Sequence, residues 1–187
     1  MKRFLAVSVG VMVLSVGVGL RTQEVSAAQV DQSGVTQNWD KNLPSASRFT
    51  LLSAFGGEAV RDNNTGLVWE RTPDATLRGW GGATPEAFGA ALHCIDRTVG
   101  GTRGWRLPSV VELMSLIDPA LPAPFVPASA FTGVQSGTYW SATTVGLDGP
   151  GFAWIVGFNL GGAGVRDVRL LDSRAWCVRG PMNAGTY

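Results

Sequence analysis

Residues 138–179 read TYWSATTVGLDGPGFAWIVGFNLGGAGVRDVRLLDSRAWCVR. Within them Thr138-Tyr139-Trp140-Ser141-Ala142-Thr143, Phe152-Ala153-Trp154-Ile155-Val156-Gly157-Phe158 and Val165-Arg166-Asp167-Val168-Arg169-Leu170-Leu171 are strand-length runs rich in β-branched and aromatic residues. Arg174-Ala175-Trp176-Cys177-Val178-Arg179 closes the series. Gly-rich turns separate the runs, so four successive strands are expected to form an antiparallel sheet.

Upstream, two helices are expected. Thr84 as cap, Pro85 in the first turn and Glu86 at the positive end start the first, which runs to about Arg97. Phe88, Leu92 and Ile95 fall at i, i+4, i+7, and Ala87, Ala91 and Cys94 widen that apolar face. His93 then shares a solvated stripe with Glu86, Ala90 and Arg97 and reads as a surface histidine. Ser109-Val110-Val111-Glu112 has capping-box spacing for the second helix, with Val110, Leu113, Met114 and Ile117 inward and Asp118-Pro119 as its stop.

Between the helices, Gly100-Gly101-Thr102-Arg103-Gly104 lacks GxGxxG spacing and any following Lys-Ser/Thr step, so it reads as a tight loop, not a phosphate cradle. Residues 119–137 are too proline-dense for helix or central strand and read as a loop pinned by Phe125, Val126 and Phe131. Phe49–Leu52 looks like a first strand. Ala59-Val60-Arg61 and Leu67-Val68-Trp69-Glu70 flank the turn 62–66 as a hairpin. Asn63-Asn64-Thr65 is formally a glycosylation acceptor, but an Asn-rich turn accounts for it. The class is α+β: two short helices packed on a twisted antiparallel sheet.

The chain opens with Met1-Lys2-Arg3, an apolar Phe4–Leu20 and a polar step before Val25-Ser26-Ala27-Ala28, the order of a secretory signal cleaved after residue 28. Residues 29–48 are polar and aperiodic, a flexible tail. The domain is expected at 49–180, followed by a tail at 181–187. The 17 apolar residues of the leader fall short of the roughly 20 that span a bilayer, so no stable membrane span is expected once it is removed. The product is expected to be secreted, periplasmic or cell-surface. Lys2, Arg3, Arg21 and Glu24 leave with the leader, so the 15 basic and 14 acidic residues become 12 and 13. That balance argues against a nucleic-acid partner. Outside the cytosol two thiols in one domain usually pair, so Cys94 and Cys177 are expected to form a disulfide. The alternative, a catalytic Cys94 with His93 as base, is geometrically poor, since helix neighbours point about 100° apart.

Several stretches resemble the Lcl C-terminal domain family, the closing domain of a bacterial collagen-like adhesin. They are Asp62-x-x-Thr65-Gly66-Leu67-x-Trp69-Glu70, Trp105-Arg106-Leu107-Pro108-Ser109 with Glu112-Leu113, Tyr139-Trp140-Ser141, Ala153-Trp154 and Cys177-Val178-Arg179-Gly180. The resemblance implies a C-type-lectin-like fold in which a helix cysteine bridges to the final strand. It also implies an exported, adhesin-like protein that recognises glycans, in the best known case sulfated glycosaminoglycans. Two departures limit the transfer: there is no Gly-X-Y stalk, and Lys41 is the one lysine left in a near-neutral mature chain. Formylglycine-generating enzymes are similar to this fold, but their active cysteine pair has no counterpart if both cysteines here are bridged.

No catalytic residue, cofactor or metal is expected. The calcium triplets of sugar-binding lectins, Glu-Pro-Asn or Gln-Pro-Asp, do not occur, and Asp148, Asp167 and Asp172 are scattered among turns. The only imidazole, His93, has no Ser-His-Asp arrangement around it. For ligand binding the candidates are Trp140, Asn159, Arg166 and Arg174, with the loops 143–151 and 159–164 facing the ligand. Trp140 and Trp154 also suit the core. Arg166 and Arg169 also suit surface pairing with Asp167 and Asp172. The expected function is a non-catalytic module for a glycan or surface ligand, with an envelope protein as the alternative partner and a formylglycine-generating-type enzyme as a minor alternative.

Overall fold

The computed structural model describes Leu43 and residues 45–81, 89–146 and 151–180. The expected leader, most of the tail behind it, the Thr84-Pro85-Glu86 helix start, the turn carrying Asp148 and residues 181–187 lie outside them. Along the described chain come a helical turn α1 (Ser45–Arg48), β1 (Phe49–Leu51), a 3₁₀ turn (Ser53–Phe55), β2 (Ala59–Asp62) and β3 (Val68–Glu70). Helices α2 (Ala90–Asp96) and α3 (Val110–Met114) follow, then β4 (Thr138–Thr144), β5 (Phe152–Gly157), β6 (Gly162–Asp167) and β7 (Val178–Arg179). The class is α+β as expected. Among the described residues no helix is long and apolar enough to cross a membrane.

The strands form two antiparallel sheets, β1-β2-β3-β7 and β4-β5-β6, which corrects the expected single sheet of closing strands. The closing segment does not pair with β6. Arg174 N donates to Thr138 O at 2.9 Å and Trp140 N donates to Arg174 O at 2.8 Å, so the chain first lies parallel to β4. Four residues later it has crossed to the other sheet, where Val178 pairs with Trp69. β6 also starts earlier than expected. A tight turn at 158–161, closed by Gly161 N to Gly157 O at 2.8 Å, begins it at Gly162, and the Asp167 carboxylate, capping Arg169 N, ends it.

Two apolar clusters fill the domain, and period-2 alternation sends neighbouring residues to opposite ones. Val60, Trp69, Tyr139, Val156, Trp176 and Val178 belong to the first, with Leu113, Leu116 and Phe131. Ala59, Trp140, Ala153, Ile155, Ala175 and Cys177 belong to the second, with Cys94, Trp105 and Leu107. Trp176 is the hub of the first core: Trp69, Phe131, Tyr139 and Phe158 all place their rings within 5.2–5.9 Å of it. The proline-rich stretch is an ordered loop, with Val126 and Phe131 in that core.

Cys94 and Cys177 form a disulfide, with Cα atoms 5.3 Å apart. It ties α2 to the closing segment and sets which side of the helix faces inward. Ala90 and Cys94 are buried, while Leu92 and Ile95 are 42% and 58% exposed, so the expected Leu92–Ile95 face is corrected. The small side chains of Ala90 and Ala91 let the helix lie close, its N-terminus held by Ala90 N to Gly79 O and Ala91 N to Trp80 O. Gly89 is extended, so the described helix begins six residues after Thr84.

α3 follows its sequence signals. Ser109 Oγ accepts from Glu112 N, and Glu112 Oε2 accepts from Ser109 N at 2.7 Å. Arg106 forks onto the same carboxylate at 2.6 and 2.7 Å and donates to Gly180 O, so Trp-Arg-Leu-Pro-Ser is a structural clasp. Arg48, read as tail, forks onto the fully buried Asp62 at 3.0 and 2.7 Å. The anchored chain therefore begins ahead of Phe49.

The disulfide closes a separation of 83 residues, for which loop entropy gives about 4.5 kcal/mol. Cys177→Ser should lose up to that amount in guanidinium denaturation. An unchanged midpoint would show that the bridge contributes nothing.

Candidate functional site

The two cysteines also position an ion pair. Arg97 caps the end of α2 and its N–H donates to Cys94 O at 3.2 Å, while Glu70 ends β3 and its N–H donates to Cys177 O at 3.0 Å. Glu70 O in turn accepts from the Trp176 indole at 2.8 Å. With both backbones held from the disulfide, Arg97 Nε reaches Glu70 Oε1 at 2.6 Å and Nη2 bonds the same oxygen. The Glu70 side chain is 2% exposed and Arg97 37%. Among the described residues no group donates to Glu70 Oε2. Burial pushes the Glu70 carboxyl above its ordinary range, against the opposing pull of Arg97.

Two clefts, each of about 400 Å³, share Arg97 and Thr98. The first is walled by Gly56, Gly57 and Glu58 after the 3₁₀ turn, by Glu70, Arg71 and Thr72 at the end of β3, and by Arg97, Thr98 and Val99. Its shape depends on a tight turn. Val99 and Thr102 exchange hydrogen bonds at 2.9 and 3.0 Å around Gly100 and Gly101, as a tight loop should. Gly100 has φ +54°, and a Cβ there would lie 2.3 Å from Phe55 O, so only glycine lets this turn press against the 3₁₀ turn. Glu58 Oε2 fixes the approach by accepting from Gly100 N at 2.7 Å.

The second cleft is lined by Arg78, His93, Asp96, Arg97 and Thr98. Arg78 pairs with Asp74, which also accepts from Thr76 N and Oγ1 at 3.0 and 2.8 Å. Burial opposes ionisation of Asp74, but the bonds from Arg78 and Thr76 overcome it and hold the carboxyl at about 2. His93 Nε2 stands 3.8 Å from Asp74, and its side chain is 14% exposed, which corrects the reading of His93 as a solvated residue. The rotation of α2 that exposes Leu92 and Ile95 carries His93 inward. Burial first, and Arg78 and Arg97 next, lower the His93 pKa against the pull of Asp74.

The four residues expected to bind ligand do not converge. Trp140 is fully buried, and its Nε1 donates to Arg78 O at 2.7 Å, so it offers no ligand surface and instead props the second cleft from behind. Asn159 is exposed at the β5–β6 turn. Arg166 pairs with Asp172 at 3.4 Å, at the far end of the same hairpin, opposite Ala153. Arg174 donates to Ala75 O at 3.1 Å and lies over Gly137. Arg169 and Asp167 form the surface pair expected of them. Part of the loop 143–151 lies outside the described residues. With Cys94 and Cys177 joined, no free cysteine remains among the described residues, and no metal-holding group of side chains occurs there.

Glu70 and Arg97 had no local signal as a pair. Glu70 closes the Trp-Glu step of a hairpin and Arg97 ends a helix 27 residues later. The tertiary fold brings them together, each beside one of the two bridged cysteines.

Because the folded chain protonates His93 at lower pH than the unfolded chain does, stability should fall as pH drops below about 6.5. His93→Gln should remove that part of the slope. Thermal midpoints between pH 7.5 and 5 that decline equally in both proteins would contradict this.

The Lcl C-terminal domain family model matches residues 58–179, a span from Glu58 in the wall of the first cleft to the end of β7. No curated protein and no solved structure gives a match. The match takes in 122 of the 187 residues, including the Asp62–Glu70 hairpin, the Trp105–Glu112 clasp and the bridged cysteines, and the chain belongs to the Lcl C-terminal domain family.

Proposed function

We propose that this protein is an exported, non-catalytic binding module of C-type-lectin-like fold that holds a glycan or another surface ligand in the first cleft, beside Arg97. One observation carries the reading. A cleft of about 400 Å³ sets two guanidinium groups, two carboxylates and two threonine side chains around one space on a frame locked by the disulfide. Saccharides are recognised by such convergent donors and acceptors on a preformed wall. The site lies away from the β5–β6 hairpin, so Arg166 and Asn159 have no part in it.

A second observation favours a protein partner. Phe152 and Val165 are 51% and 45% exposed and project from the same face of β5–β6, on either side of the half-buried Trp154. An envelope protein docking there would explain the apolar ridge.

A glycan array with the exported chain should find binding that Arg97→Gln lowers tenfold or more, while Arg166→Gln leaves it unchanged. Binding that depends on Arg166 and not on Arg97 would return the site to β6. No glycan binding, with one stoichiometric envelope partner lost in Val165→Ser, would establish the docking reading instead.

A further inference from the structure

The first and second clefts are built from the same two stretches of chain. Residues 70–78 set Glu70, Arg71 and Thr72 in the first cleft and reach Arg78 in the second. Residues 93–99 run the other way, with His93 and Asp96 in the second cleft, Arg97 and Thr98 in both, and Val99 in the first. The clefts therefore follow one another between one pair of banks. Two ties join those banks: Arg97 bonds Glu70, and His93 Nε2 stands 3.8 Å from Asp74. The side chains of Glu70, Asp74 and His93 are mostly shielded from solvent, so the ties lie low and form a floor, not a partition.

Groups that meet solvent occur in both halves of this groove and at its middle. Glu58 and Thr72 are exposed in the first cleft, Asp96 in the second, and Thr98 where they join. Arg97 commits Nε and Nη2 to one oxygen of Glu70. Its Nη1 takes no part in that pair, and the side chain remains 37% exposed at the same junction. Hydroxyls, carboxylate oxygens and guanidinium N–H groups all hydrogen-bond sugar hydroxyls. Here they are strung along a groove instead of gathered at one point, which matches consecutive units of a chain. Each cleft, at about 400 Å³, is near the lower end of the roughly 300–1,000 Å³ that holds a small ligand. A ligand confined to the first cleft leaves Asp96 untouched.

We infer that the two clefts are one groove, and that its ligand is a linear oligosaccharide lying across Arg97 with consecutive units in both. The inference rests on the glycan-binding reading and adds the form of the ligand: a stretch of chain, not a single terminal sugar. Arg97 and Thr98 contact the units at the crossing, Glu58 and Thr72 those in the first cleft, and Asp96 those in the second. Joining both sets of contacts in one molecule makes the second set intramolecular, so affinity rises with chain length until both clefts are filled.

The test measures Kd of the exported chain for the disaccharide and the hexasaccharide of three series: cellulose, chitin and heparin. In at least one series the hexasaccharide should bind tenfold or more tightly than the disaccharide, beyond the few-fold gain that equivalent registers on a single cleft supply. Asp96→Leu, at an exposed helix end, should shift the hexasaccharide affinity about fivefold or more and leave the disaccharide unchanged. The length comparison needs no variant, so it decides the matter even if Asp96→Leu fails to fold. Equal affinity for the two lengths would overturn the groove, and would leave the glycan reading standing where Arg97→Gln weakens both. A length-dependent gain that a folded Asp96→Leu protein retains in full would show that the longer chain bypasses the second cleft, and would also overturn it. No binding at either length in any series would remove both readings together.

Discussion

Ala175, Trp176, Cys177 and Val178 are all fully buried, and the strict alternation of their side chains is what holds the two halves of this protein to each other. Ala175 and Cys177 turn into one core, where Cys177 is bonded to Cys94. Trp176 and Val178 turn into the other, where the indole contacts four aromatic rings. Arg174, just ahead of them, hydrogen-bonds β4, and Cys177 and Val178 pair with β3. Covalent, apolar and backbone bonding are thus concentrated in one extended segment, and neither sheet is complete without it.

The candidate site inherits its rigidity from that segment. Glu70 is held through its N–H by Cys177 O, and Arg97 through its N–H by Cys94 O, so the ion pair spans the disulfide. The pair is shielded from water on the Glu70 side and open on the Arg97 side. Side-chain entropy is already spent in the folded protein, which is the condition for binding small polar groups in a shallow cleft. The adjoining Asp74–Arg78–His93 cluster is built on the same plan, with Trp140 beneath it supporting Arg78 through its carbonyl.

The clasp at 105–112 shows how much of the family pattern is architecture. Arg106, Ser109 and Glu112 spend their polar atoms on one another and on Gly180, and Trp105 and Leu107 are buried. Asp62 is likewise consumed by Arg48 and the Asn64 amide. These motif residues are therefore committed to holding the fold, while Glu70, the last residue of its motif, also lines the first cleft.

From the chain alone, the hairpin over 59–70, the capping box of α3, the proline-rich loop, the strand positions of β4 and β5 and the cysteine pairing were all determined. Each of these depends on interactions within a few residues, or on there being two thiols and no third. Three features were left to the tertiary structure: the sheet that β7 joins, the face of α2 that is buried, and the meeting of Glu70 with Arg97. Periodicity states that a helix has an apolar side, but Ala90, Ala91 and Cys94 won over Leu92 and Ile95 because the disulfide and close packing favour small residues at that contact. Trp140 and Trp154 were legible both as core and as ligand surface. Burial decided between them, and burial is a property of everything packed around a residue, which no local stretch of sequence contains.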